Sequence, residues 1–547
     1  MSRRFRAITL PLAVALAAGT LWANGRPKFY PDDPLTRDPE TQDASAVDEW
    51  DINDGYDFIE NTFLGAGESS DVRAVNVNTL DEVPASSWFT NRLGTHSMSA
   101  EEVQQGSSEG TGPATGLLTI VGGKSEGISP GLTIRDKRGD IYFVKFDPPS
   151  NPEMATGAEV IATQFFHALG YHVPENYISW LSPDDLRIDE SARIRGDDGR
   201  QRTFRRSDLR AVLAKAARHG DGRYRVVMSK ALPGRPLGPF RYHGTRPDDP
   251  NDIFPHEHRR ELRGLRVFSA WLNHDDSRAI NTLDTLVERD GRKVVWHHLI
   301  DFGSTLGSGS TAAQKPRAGN EYLWEARPTF VTMLTLGFYV RPWIKVQYPD
   351  LPAIGRIEAA YFTPQNWKPE YPNAAFDNMR ADDAYWAARR MVPFTNELIH
   401  GAVKSGEYTD PEAESYLTQV LITRRDKILQ HWLNGVLPIE DLRLSPEGTL
   451  TFRNVAVDVK AAGPASEYRI RWFSFDNATG TAAPVGDEST GPELRAQAPA
   501  ALLGGGSGYV MAEIRAANSR HPGWDTPLRA YFRRAGGAWE TVGIERR

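Results

Sequence analysis

Three oxygen-bearing side chains fall in an order that suits the handling of a phosphate ester and a divalent cation. The run HDDSRAIN occupies residues 274–281, and the segment LIDFG carries Asp301 and closes at Gly303. Phosphoryl transfer needs a carboxylate at the acceptor hydroxyl and oxygen ligands for the metal ions that bridge the phosphates. Asp276 is placed for the first role, and Asn281 and Asp301 for the second. An amide oxygen paired with a carboxylate suits a hard cation such as magnesium or manganese, which keeps waters and takes phosphate oxygens as further ligands.

Upstream lie the elements that would have to hold these groups. Residues 117–146 read as a β-meander: an apolar run, the loop GGKSEGISPG, the strand LTIR, a turn at DKRGD and the alternating strand IYFVKF. In that loop Gly127 and Gly131 would let backbone N–H groups approach phosphates closely. It does not match G-x-G-x-x-G, Pro130 removes a donor, and a plain surface hairpin accounts for the same residues. The nearby Gly123-Lys124-Ser125 is no phosphate-binding P-loop, because Leu118 stands where the first glycine is required. Ala158, Ile161, Phe165 and Leu169 recur at helical spacing. On that helix Glu159 shares a side with Ala162 and Phe166, so it can face inward, and an inward carboxylate needs a cation. Lys145, on IYFVKF, is the candidate; a solvated Glu159, with Glu153 pairing instead, is the alternative.

Downstream of Glu257 the pattern is helical, then TLDTLVERDGRKVVWHHLIDF reads as a hairpin turning at Arg289–Lys293. Of His297 and His298 within it, one is expected to be buried against backbone. Residues 320–433 read as largely helical, and 438–547 as short alternating strands separated by Gly, Pro and Asn turns, the pattern of a small β-sandwich.

The run HDDSRAIN resembles the protein-kinase catalytic loop H-R-D-L-K-x-x-N, with His274, Asp276 and Asn281 in register, and Asp301-Phe302-Gly303 resembles the metal-binding D-F-G. Arg278 stands where protein kinases carry a phosphate-neutralising lysine. Asp275 replaces the arginine that contacts the activation segment, and the hairpin after Asn281 is long. These departures resemble the atypical branch of the protein-kinase-like superfamily: CotH-type, HipA-like and secretory-pathway kinases. The resemblance implies an α+β, two-lobed kinase-like fold with a C-terminal all-β, sandwich-like domain. It implies that Lys145 holds the α- and β-phosphates of ATP and pairs with Glu159. It also implies that the strand around Met228 leads to the adenine-binding hinge. Asp276, Arg278, Lys145 and Glu159 would then be catalytic, Gly127, Gly131 and Met228 nucleotide-binding, and Asn281 and Asp301 the ligands of Mg²⁺ or Mn²⁺.

Five segments follow: a signal peptide at 1–23, a polar arm or linker at 24–115, an N-terminal lobe at 116–255, a helical lobe at 256–437 and a β-domain at 438–547. Arg3, Arg4 and Arg6 precede an apolar stretch and small residues, the order of a secretory signal; an uncleaved anchor is the alternative. The 547-residue chain has no cysteine and a formal charge of −7, with no long basic run. That excludes disulfides and thiolate sites and argues against a nucleic-acid partner. No membrane span is expected once the signal is removed. The expected protein is exported, periplasmic or at the cell surface, and transfers phosphate from ATP to an envelope protein or small molecule. A pseudokinase or nucleotide-binding protein, or a surface-binding protein acting through its β-domain, is the alternative.

Overall fold

The computed structural model describes residues 26–38, 40–123, 131–196, 199–336, 338, 341–504 and 508–546. The signal segment 1–23 and Gly127 of the glycine-rich loop lie outside the described residues. The fold is mixed α+β.

The meander forms as its alternation predicts: β1 (Leu118–Gly123), β2 (Gly131–Arg135) and β3 (Ile141–Phe146) pair antiparallel in sequence. They belong to a seven-stranded sheet with the order β4-β7-β3-β2-β1-β5-β6. Next to one edge, β7 (Tyr224–Lys230) lies between β3 and β4 (Asn176–Leu181). Between β4 and β7 the chain inserts β5 (Leu186–Arg195), β6 (Gln201–Thr203) and a short helix, α4 (Arg206–Leu213). The apolar residues of α4 pack on one face of the sheet with Val144, Val226 and Met228. The other face receives the sixteen-residue α3 (Met154–Leu169), which follows α1 (Asp54–Ile59) and α2 (Ala100–Gln105). All of α3 except His167 is buried, which its Ala, Val, Ile and Phe content permits on every side. Asp147 anchors its first turn, accepting from Thr156 N at 2.9 Å and Thr156 Oγ1 at 2.7 Å.

After β8 (Arg235–Gly238), α5 (Arg260–Leu272) leads into the hairpin of β9 (Thr282–Arg289) and β10 (Arg292–Leu299). The stretch to residue 373 differs from its expected helicity. Among its described residues it holds only α6 (Ala326–Leu334) and short turns. Eight prolines between Pro316 and Pro372 explain this, since each removes a backbone donor and crowds the preceding turn. Regular helix resumes with α7 (Ala374–Asp377), α8 (Ala381–Met391), α9 (Asn396–Lys404) and α10 (Pro411–Trp432). Among the described residues no helix is long and apolar enough to cross a membrane.

Beyond residue 438 the strands are antiparallel. Ile439–Leu444, Thr449–Asn454 and Arg495–Gln497 form one sheet; Glu467–Asp476, Tyr509–Ala517, Leu528–Ala535 and Ala538–Glu545 form the body of a second. Their buried side chains, Trp472 and Ile514 among them, continue the core that holds Trp271 and Trp386 of α5 and α8. The polar segment 24–115 is an arm that runs across this body. Phe29 packs among Phe475, Tyr509 and Tyr531, and Trp88, Phe89 and Leu93 enter the main core.

An ionic cluster joins arm, helices and C-terminus. Arg260, fully buried, reaches Asp81 at 2.6 Å, Asp382 at 3.0 Å and Asp383 at 3.1 Å, while Arg546 approaches Asp81 at 3.5 Å. Truncating Arg260 removes a guanidinium shared by all three aspartates and leaves them to Arg73, Arg263 and Arg546 in low dielectric. Arg260→Met should therefore lower the unfolding free energy by about 3–5 kcal/mol, read as a fall in the urea midpoint. A change within ~0.5 kcal/mol would mean that these aspartates do not depend on Arg260.

Candidate functional site

α5 ends where Asn273 adopts a left-handed conformation (φ 51°), one that asparagine tolerates at a helix C-terminus. Its side chain is fixed on both sides, accepting from Trp367 Nε1 at 3.0 Å and donating to Gln314 Oε1 at 3.2 Å. The loop 274–281 then folds on itself. Ser277 Oγ donates to His274 O at 2.6 Å, Asn281 N to Arg278 O at 3.0 Å, and Asn281 Nδ2 to Asp276 O at 2.7 Å. Ile300 N donates to Asn281 O at 3.0 Å, which brings the strand carrying Asp301 beside this loop.

Asp301 has φ 58°, an uncommon conformation for a residue with a side chain. The next two residues explain how it is held. Phe302 is fully buried, stacks on Phe166 of α3 at 5.0 Å and donates its N–H to Glu159 Oε1 at 3.0 Å. A Cβ on Gly303 would stand 3.1 Å from Glu159 Oε2 and 3.0 Å from Ser310 Oγ, so the absent side chain permits the approach. His274 completes the packing at 5.7 Å from both Phe166 and Phe302, and burial holds its pKa down to about 4.

Lys145 joins the sheet to this loop. Its Nζ lies 2.7 Å from Glu159 Oε2 and 2.8 Å from Asp301 Oδ1. Burial works against the ammonium, and Asp301 and then Glu159 more than compensate, so its pKa is raised above the ordinary lysine value. Gly131 pairs with Lys145 in the β2–β3 register, at the mouth of the glycine-rich loop. Glu153, the alternative partner, instead accepts from Thr409 N at 2.9 Å.

Met228 belongs elsewhere. Lys145 is opposite Val227, so Met228, opposite Val144, turns to the other face of the sheet and is fully buried with α4. The strand is also laddered on both sides, which engages its backbone with β3 and β4. Met228 is therefore a core residue. His297 and His298 are both buried, and His297 Nδ1 meets the Asp284 carboxylate at 2.7 Å rather than backbone.

The electrostatics of the loop depend on residues that local sequence did not single out. Arg278 forms an ion pair with Asp276, reaches Asp54 of α1 at 3.2 Å and lies 3.6 Å from Glu370. Burial pushes the Asp276 carboxyl up to about 6; Arg278 opposes the shift and Glu370 adds to it. Burial, Asp276 and Glu370 push Asp275 up to about 8, while Gln314 Nε2 donates to its Oδ1. Asp54, Gln314 and Glu370 reach the loop from remote parts of the chain and carry no motif.

Among the described residues no three His, Cys, Asp or Glu side chains group as a ready metal cage. Asn281 and Asp301 carry the oxygen types that a hard cation drawing its other ligands from water and phosphate would use, although Asp301 Oδ1 is here held by Lys145. The hydrogen bond from Nδ2 anchors the Asn281 amide and leaves its oxygen to accept. No family model, curated protein or solved structure matches this chain.

The Asp275 shift has a testable sign. Between about pH 4 and about pH 8 the folded chain holds a proton that the unfolded chain has released, so stability falls as pH rises through that window. Asp275→Asn keeps an acceptor for Gln314 and abolishes the titration. Its stability relative to the parent should improve by at least ~1 kcal/mol between about pH 5 and about pH 8, measured by thermal unfolding at both. An equal difference at the two pH values would show that Asp275 does not titrate there.

Proposed function

We propose that the chain is an exported, ATP-dependent phosphotransferase of the protein-kinase-like superfamily, atypical branch, acting on an envelope protein or small molecule. In this reading the seven-stranded sheet with α3 is the N-terminal lobe, α5 to α10 with the β9–β10 hairpin the C-terminal lobe, and the terminal strands a sandwich-like domain. The observation that carries the reading is Lys145, which holds Glu159 of α3 and Asp301 of the 301–303 loop with one ammonium group. Three separate elements thus converge on a single cation, at the third strand, the following helix and the D-F-G segment, where such enzymes need them.

Asn281 and Asp301 would hold Mg²⁺ or Mn²⁺, which when bound neutralises charge on phosphate oxygens. Lys145 binds the α- and β-phosphates and Glu159 keeps it in place. Asp276, with a pKa of about 6, is ionised at neutral pH yet basic enough to take the proton of an acceptor hydroxyl. Arg278 orients Asp276 and offers positive charge to the transferred group.

A second reading, a nucleotide-binding protein without turnover, is favoured by one observation: Asp54, Asp276 and Glu370 all crowd the Arg278 guanidinium. Incubation with γ- and α-labelled ATP and Mg²⁺ or Mn²⁺ separates the readings. Movement of the γ-label supports phosphotransfer, movement of the α-label assigns nucleotide transfer, and binding without transfer leaves the second reading.

Two variants test the division of roles. Asp301→Ala should abolish metal-dependent ATP binding in a thermal-shift titration. Asp276→Ala should leave that affinity within about twofold and depress turnover by about 10²–10⁴-fold. Parent activity should fall as pH drops below about 6, because Asp276 then holds the proton it must accept. Equal loss of binding in both variants would refute the assignment.

A further inference from the structure

A cavity of about 500 Å³ opens behind Lys230–Pro233, where the chain leaves β7, between the end of α3, the hairpin β9–β10 and the arm. Its size suits a small molecule. None of Lys145, Glu159, Asp276, Asn281 or Asp301 lines it.

Among the described residues, one wall carries a cation without a counter-ion and another a ring nitrogen without a hydrogen-bond partner. Arg92, from the arm, is half-buried and donates through Nη1 to the carbonyls of His167 at 2.9 Å and Tyr171 at 3.0 Å. No carboxylate pairs with it among the described residues, and burial alone draws its pKa down to about 10. A half-buried cation that meets only carbonyl dipoles favours an anion. On β10, His298 is buried and its Nδ1 has no hydrogen-bond partner among the described residues. Its Nε2 lies 3.2 Å from Thr285 Oγ1. With the Thr285 hydroxyl donating to Nε2, the ring proton sits on Nδ1 and needs an acceptor.

The surroundings determine what kind of acceptor fits. His172 lies next to both groups, its ring centroid 6.1 Å from that of His298, but its own nitrogens are engaged by Thr90 Oγ1 and the carbonyls of Ser87 and His297. Trp296 lines the cavity beside it, with the guanidinium of Arg289 lying 3.7 Å above the indole ring. Arg289 forms no ion pair among the described residues. The acidic groups of the wall are in part engaged: Glu40 accepts from Ser87 N at 2.6 Å, and Glu175 lies 3.7 Å from Lys230.

We propose that this cavity binds a small organic oxyanion, a carboxylate or phosphate ester. Arg92 and His298 Nδ1–H take its anionic group, Arg289 guards the rim, and Trp296 contacts its carbon skeleton. The proposal does not depend on phosphotransfer at Lys145 and Asp301.

The test uses the full chain labelled with ¹⁵N-histidine, the His298 ring signals being identified by their loss in His298→Gln. Inorganic phosphate, phenyl phosphate and succinate are titrated separately, which distinguishes a phosphate ligand from a carboxylate. At least one should move the His298 Nδ1 resonance saturably. Arg92→Gln should weaken that binding about tenfold and Arg289→Gln about threefold, with metal-dependent ATP binding unchanged in both. Phosphate captured at the Lys145 site would leave the His298 signal in place. The proposal is overturned if none of the three anions moves the His298 resonance. It is equally overturned if Arg289→Gln, whose side chain is exposed and whose folding is not at risk, binds as tightly as the parent.

Discussion

The carboxylate of Glu159 is almost entirely removed from solvent, and both of its oxygens are engaged. Oε2 meets the ammonium of Lys145 on β3, and Oε1 accepts from the backbone of Phe302. A buried carboxylate is tolerated only when paired and hydrogen-bonded, because the protein interior cannot replace the lost hydration. The two partners belong to different parts of the chain, so satisfying Glu159 fixes α3 against the sheet and against the 301–303 loop together. The left-handed Asp301, the missing side chain at Gly303 and the stack of Phe302 on Phe166 follow from that demand.

The loop 274–281 meets the same problem with a different solution. Asp275 is buried and Asp276 half-buried there, and Arg278 pairs with Asp276. Burial raises the pKa of Asp276 and Arg278 opposes the rise, so the Asp276 carboxylate is ionised at neutral pH. Asp275 forms no ion pair among the described residues, Arg317 offsets its burial only in part, and its proton spares the loop a second buried charge. One carboxyl is thus made structural and its neighbour left chemically available, by geometry alone. The arm closes the arrangement: Asp54 at the start of α1 pairs with Arg278, and Asp57 accepts from Tyr371 Oη at 2.5 Å.

Much of this could be read from the chain, because the signals were local. Period-two and period-3.6 patterns mark β3, α3 and the β9–β10 hairpin, and the helical side of Glu159 points to Lys145 fourteen residues earlier. What could not be read was non-local. Asp54 and Glu370 lie 224 and 92 positions from Arg278 in sequence, and only the folded chain brings them to its guanidinium. Met228 was misplaced for a related reason: whether a strand residue faces a site depends on register, and the register of β7 against β3 is a tertiary fact. The arm has linker composition, yet Trp88, Phe89 and Leu93 are buried; an average over polar residues hides a few apolar anchors at irregular spacing.

One helix serves both the Lys145 site and the cavity lined by Arg92. The first half of α3 carries Glu159, bound to Lys145 and Phe302; its C-terminal end offers the His167 carbonyl to Arg92. Nearly all the residues between are buried, so the helix cannot rotate or slide without opening packing along its length. The arm reaches both ends of this arrangement, through Asp54 at Arg278 and through Arg92 at the C-terminus of α3. A segment that looked like a tether is thus an integral wall of the fold. Its charged side chains complete electrostatic groups whose other members lie in the sheet, the helices and the loops.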